Sequence, residues 1–233
     1  MIVCPVCQHP NDDFSITCSS CSSYIQDRVP NLDLFSTVWL MVESPRDAFK
    51  KVIVAEHKNF VLFLSLFLGL AVVFGVMWAA RLGMLFDNLL PLLLYGTTIG
   101  LLSGIPLFFV MTGVLHGAAR MLKGSAAFSV TYGVAGWSLV PVMLSVVFLL
   151  PLELGTLGLL LFSVNPSAYE VKPVVTMVLV GMDGACILWS LYLAVRGTAL
   201  AHRIRFITAA ATVTVAVAGG AGAVYSVYSL FFL

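Results

Sequence analysis

Residues Gly113–Leu144 read GVLHGAARMLKGSAAFSVTYGVAGWSLVPVML. An apolar run descends into a short basic turn, His116 to Lys123, and a second apolar run carrying Tyr132, Trp137 and Pro141 leads away. Such a stretch makes a helical hairpin in a bilayer when each arm reaches about 20 residues. The surrounding chain supplies that length. Of its 233 residues 60% are apolar and 10% charged, and mean hydropathy is +1.03. Soluble domains lie nearer half apolar and a quarter charged. The class that follows is an all-α polytopic membrane protein. A net charge of +1 carried by scattered residues makes no basic face, so no nucleic-acid partner is expected.

Five spans are predicted, near Phe60–Ala80, Leu89–Leu115, Phe128–Leu150, Pro173–Val195 and Phe206–Leu233. The N-terminal region with the second and fourth loops holds Arg28, Arg46, Lys50, Lys51, Lys58, Arg120, Lys123, Arg196, Arg203 and Arg205; the other two loops hold only Arg81 and Lys172. Ten cations against two place the N-terminus inside and the C-terminus outside. The expected location is a bacterial inner membrane, with a cytoplasmic N-terminus and a periplasmic C-terminus. Met1 to Cys7 lacks the basic and apolar regions of a signal peptide, so the N-terminus is expected to stay where it was made. Trp78 and Trp189 suit interfacial belts, whereas Trp137 falls near mid-span and is expected between helices.

Residues 1–26 differ in kind. Cys4-Pro-Val-Cys7 and Cys18-Ser-Ser-Cys21 offer four thiolates from two tight turns, the donor set of a tetrahedral, closed and therefore structural zinc site. So small a unit has too little apolar surface to fold without help, and Zn2+ would supply the missing free energy. Two disulfides or a redox C-x-x-C are the rival readings; disulfides would need an oxidising compartment. The stretch resembles the short bacterial zinc-ribbon module, departing from it where Gln8 and Ser22 replace the usual glycines.

Residues 27–58 form a juxtamembrane amphipathic segment. Leu32, Phe35, Val38, Trp39 and Val42 fall at helical spacing in a run too short to span a bilayer. Ser44-Pro45-Arg46-Asp47 starts a second helix, with Phe49, Val52 and Ile53 on one face and Lys50 and Lys51 beside it. That second helix lies on the cytoplasmic leaflet, where lysines favour anionic lipid, or packs on the base of the membrane domain, and the two readings are not exclusive.

Residues 59–233 make up the membrane domain. Ser44-Pro45 with Phe49, the stretch Leu115-His116-Gly117-Ala118-Ala119-Arg120-Met121-Leu122-Lys123-Gly124, and Phe128, Tyr132, Ser138, Leu139 and Pro141 resemble the Yip family. These are the Ypt- and Rab-interacting membrane proteins. The resemblance covers roughly residues 44 to 233 and implies five spans behind a cytoplasmic N-terminus. For prokaryotic relatives it implies a fold more than a task.

Within the spans Asp183 stands out as the ionisable residue near mid-span, and its cost there directs it to the bundle interior or a cavity. Counting from the span ends brings Ser103 and Ser138 to its depth, beside Gly69 and Gly219-Gly220. Asp183, Ser103 and Ser138 are thus either a hydrogen-bonded lock or an ion or proton site. Pro106 and Pro141 should kink the second and third spans. In the fifth, Ala218 with Gly222 and Gly219 with Ala223 are small-xxx-small pairs, suited to the bundle or to a homo-oligomer. Arg120, Lys123, Arg196, Arg203 and Arg205 form an inner rim that enforces topology and suits an anionic headgroup. His9, His57, His116 and His202 are expected to be solvated or interfacial, and Cys186 a small buried residue.

No H-E-x-x-H, G-x-S-x-G, phosphate loop or intramembrane carboxylate pair is evident, so no enzyme is expected. The leading expectation is a non-enzymatic membrane adaptor or organiser, embedded in the lipid bilayer, whose ribbon recruits a cytoplasmic protein. The alternative is a small, oligomeric ion or proton channel or transporter using Asp183.

Overall fold

A computed structural model describes residues 1–27 and 29–232. Arg28 and Leu233, used above for orientation and for the end of the fifth span, lie outside the described residues. The ribbon carries a two-stranded antiparallel ladder, β1 (Ile2–Val3) against β2 (Pro10–Asn11). Two short helices follow, α1 (Leu34–Glu43) and α2 (Pro45–Val54). The membrane domain comprises α3 (Val61–Ala79), α4 (Leu89–Met121), α5 (Phe128–Trp137), α6 (Val140–Leu144), α7 (Leu150–Leu157), α8 (Ala168–Val171), α9 (Pro173–His202) and α10 (Phe206–Phe232). Its five helical spans are long and apolar enough to cross a membrane.

The third span departs from expectation. It runs over Phe128–Phe162 rather than stopping at Leu150, passing through a π-turn at Ser145–Leu149 and a 3-10 turn at Gly158–Phe162. Pro151 does not end the span because it occupies the first turn of α7, where its missing N–H costs nothing. Pro141 acts in the same way at the head of α6, so the break falls at Ser138–Leu139, between α5 and α6. The Ser138 carbonyl in that gap accepts from the Ser190 hydroxyl of α9 at 2.7 Å. Pro106, by contrast, leaves α4 continuous.

The first hairpin is the tightest contact. Gly96, Gly100 and Gly104 line one face of α4 at four-residue spacing; Gly69 of α3 meets the last two, and Phe74 and Met77 cover Gly96. A methyl group at Gly69 would come within 2.0 Å of the Gly100 carbonyl oxygen, and one at Gly104 within 2.5 Å of the Ser65 carbonyl. Backbone against backbone is what small residues permit where lipid supplies no hydrophobic drive between helices. In α10 the small residues divide between the bundle and the surface, with Gly219 in ordinary contact with Val114. Gly220 packs against Met111, with 2.8 Å left for a methyl group, whereas Gly222 faces open space and Ala218 is exposed.

The ends of the bundle separate cleanly. Arg81 and Lys172 lie at one end, donating to the carbonyls of Leu161 and Thr156. The ribbon, α1, α2 and the turn from Lys123 to Phe128 lie at the other, where α2 packs across α5 and α9. Phe49 and Val52 of α2 are buried there against Gly197 and Gly133, so this helix follows the packed-base reading. Lys58 closes α2 by donating to the carbonyls of Val52, Ile53 and Ala55. Ser44 stands at the head of α2 as expected, but its hydroxyl donates to the Asp47 carboxylate rather than accepting from the backbone. Trp137 is buried between helices, as mid-span placement requires.

Candidate functional site

The ribbon repeats one turn twice. The N–H of Gln8 donates to the Cys4 carbonyl and that of Ser22 to the Cys18 carbonyl, each at 3.0 Å. Gln8 and Ser22 take the left-handed conformation, with φ of 57° and 58°. These are the two positions where glycine was missing, so the turn geometry is kept at the expense of backbone strain. Relief of about 1 kcal/mol per site is expected for Gln8→Gly and Ser22→Gly, read as a lower fraction of zinc lost to a competing chelator.

The four thiols converge. The sulfurs of Cys4, Cys7, Cys18 and Cys21 lie within 4.8 Å of one another, with Cys4–Cys21 at 3.6 Å and Cys7–Cys18 at 3.5 Å. Four thiolates around zinc stand roughly 3.8 Å apart, given bonds of about 2.3 Å, so this set fits a tetrahedral metal ion. The surroundings favour the thiolate form of Cys4 and Cys18 but not of Cys7, which is pushed up to about 12. The His9 backbone lowers Cys7, and the Cys21 sulfur, burial and the other sulfurs raise it more. The Ser23 hydroxyl, then the backbone of Cys7, brings Cys4 down to about 6. The backbone N–H groups of Cys21 and Ser20 lower Cys18, while burial opposes them. Asn11, 6% exposed, braces the centre by donating to the Cys18 sulfur and the His9 carbonyl and accepting from Ser19. His9 therefore contributes its carbonyl. With four sulfurs as donors the site would be closed, holding the fold rather than activating water.

The ribbon is docked on the bundle. Asp12 pairs with Arg203, in the turn between α9 and α10, at 2.5 Å, and the same guanidinium lies 5.7 Å from the Phe14 ring. The Phe14 backbone N–H, then the Arg203 guanidinium, holds the Asp12 carboxyl below its ordinary range. Arg203 thus leaves the expected lipid rim. Of the other rim residues, Arg120 donates to the Gly124 carbonyl at 3.5 Å, Arg196 lies over Tyr192 at 5.9 Å, and Lys123 and Arg205 are exposed.

Asp183 does not meet Ser103 or Ser138. Those hydroxyls donate to the carbonyls of Gly100 and Val134 within their own spans. The donor to Asp183 is Ser145, at 2.5 Å, which opens the π-turn of the third span. A second acid joins it. Glu153, 4% exposed, lines the same cavity as Asp183. An intramembrane carboxyl pair therefore exists, contrary to expectation, because the third span extends past Leu150 and carries Glu153 inward. Two acids facing one largely apolar cavity are costly there. Ser145, Glu153 and Asp183 open onto a cavity of about 380 Å³, otherwise lined by apolar residues such as Phe74, Trp78 and Phe162.

The histidine expectation also needs correction. His202 is 1% exposed at the end of α9, and its Nε2 lies 2.9 Å from the Thr131 hydroxyl, which contacts His116 Nδ1 at the same distance. Gly124 makes this possible, since a methyl group there would lie 2.5 Å from His202 Nδ1. The sequence carried signals for two of the features it left unread. The Gly96, Gly100 and Gly104 period marks a helix contact, and the apolar run Gly158–Phe162 beyond Glu153 marks a longer span. For Ser145 there was none, because a π-turn has no clear local signature.

A family model of the Yip1 domain matches residues 39–228. No curated protein and no solved structure matches the chain.

Proposed function

Because the chain belongs to the Yip1 domain family and is an integral membrane protein, we propose that it is a non-enzymatic membrane adaptor. Its N-terminal zinc ribbon recruits a protein on the cytoplasmic side of a bacterial inner membrane, and its C-terminus is periplasmic. The docking of the ribbon through Arg203 supports this reading, since it couples the metal-held head to the turn that joins two spans. The ribbon also leaves Val3, Val6 and Tyr24 exposed, apolar surface that a partner would cover. In-cell photocrosslinking from residue 6 should give adducts that vanish in the Cys4→Ser chain. Adducts unchanged by that substitution would sink the proposal. Arg203→Ala should free the ribbon and raise chymotryptic cleavage at Tyr24 about fivefold, for a partly exposed ion pair worth roughly 1 kcal/mol.

The carboxyl pair favours a second reading, a proton or cation pathway through the bundle. Ionisable groups at such depth are costly and mark pathways more often than packing. Purified protein in liposomes should then pass protons or cations, with flux reduced about tenfold or more by Asp183→Asn or Glu153→Gln. Absence of wild-type flux, or flux indifferent to both substitutions, rules this pathway out.

A further inference from the structure

Helix α1 is two-faced in a way the bundle does not use up. Its inner face, with Thr37 and Met41 both fully buried, packs on α2. It belongs to the same buried cluster as Val61 and Leu64, in the first turn of the α3 span. On the opposite face Phe35, Trp39 and Val42 fall within one narrow stripe, at positions i, i+4 and i+7, and are 83%, 69% and 48% exposed. We propose that this stripe lies in the interfacial layer of the bilayer leaflet on the ribbon's side, so that α1, and not the basic helix α2, is the membrane-inserted helix.

Three observations select lipid as the occupant. The stripe lies near a surface already given to lipid: Asn31, just before α1, accepts from Asn59, just before α3, at 3.1 Å, and Phe60, Leu62 and Phe63 at that entry are likewise exposed. Trp and Phe on a short helix with a polar flank suit the layer between headgroups and acyl chains. The flank is polar and charged. Lys51 of α2 reaches the Ser36 hydroxyl, next to Phe35, at 3.4 Å, and Arg46 is exposed. Asp33, Glu43 and Asp47 balance these charges, so that charged groups of both signs flank the stripe at headgroup level. A second copy of the chain fits less well. Two aromatic rings and a valine offer well under the roughly 800 Å² that a stable protein interface takes from each partner.

The test uses the full chain in liposomes and reads the emission of Trp39, taken as the difference between wild type and Trp39→Phe. Phenylalanine keeps the ring and its packing, and the other three tryptophans cancel. Lipids brominated near the top of the acyl chains should cause a larger loss of Trp39 emission than lipids brominated near the bilayer centre, and aqueous iodide should cause less loss than either. Loss to iodide equal to or above that to lipid bromine places the stripe in water and overturns the proposal. Loss to neither quencher places it under a second copy of the chain and overturns it equally.

Discussion

About one zinc ion per chain is expected in the wild-type protein, and replacing Cys4 with serine is expected to abolish its binding. The effect is large because the ribbon has almost nothing else to fold on. Its side chains lie outside the buried clusters, which begin at Leu32, so the metal would supply on the order of 10–16 kcal/mol. Chymotrypsin should then cut at Phe14 and Tyr24 while the five spans remain protected. Two results would decide against the metal: purified wild type with far less than one zinc per chain, or a Cys4→Ser ribbon that resists the protease as wild type does. Four thiols that fail to react until a reductant is added would revive the disulfide reading.

The second large effect concerns the first hairpin. Gly69→Ala is expected to cost about 3 kcal/mol or more, because its methyl group would stand 2.0 Å from a carbonyl oxygen of α4 and neither backbone can yield alone. Gly219→Ala supplies the contrast. There the nearest atoms are Val114 methyls at 3.6 Å, an ordinary contact, and alanine gains up to about 1 kcal/mol in helix propensity. Unfolding in detergent by denaturant titration should therefore separate two chemically identical substitutions by several kcal/mol in opposite directions. Equal midpoints for the two variants would refute the close approach of α3 and α4.

Much of this architecture was legible in residue order because membranes and metals impose simple rules. Apolar runs of span length have one economical structure in lipid, the helix, since every backbone group must be satisfied internally. Four cysteines in two C-x-x-C turns likewise have few ways to meet. What stayed illegible depended on where a helix stops. Glu153 fell beyond the predicted end of the third span at Leu150, and only the observed continuation to Phe162 moved it inside. Its position beside Asp183 then removed Ser103 and Ser138 from that site. His202 was misread for a related reason, since only a neighbouring glycine in a turn far along the chain makes room for its ring.

The amphipathic segment shows the same division at finer grain. Residue order left α2 open to lipid contact, base packing or both; burial of Phe49 and Val52 packs it on the bundle, and the aromatic stripe on α1 stays exposed. By itself, residue order determined the five spans, the thiol cluster and membership of a family, all of which follow from local composition and spacing. Tertiary structure alone decided which polar groups share a depth: Ser145 with Asp183 and Glu153, Thr131 between two histidines, Asp12 on Arg203. The physical reason is geometric. A helix rises about 1.5 Å per residue, so an uncertainty of three or four residues in a span boundary shifts a side chain by roughly 5 Å and gives it different neighbours.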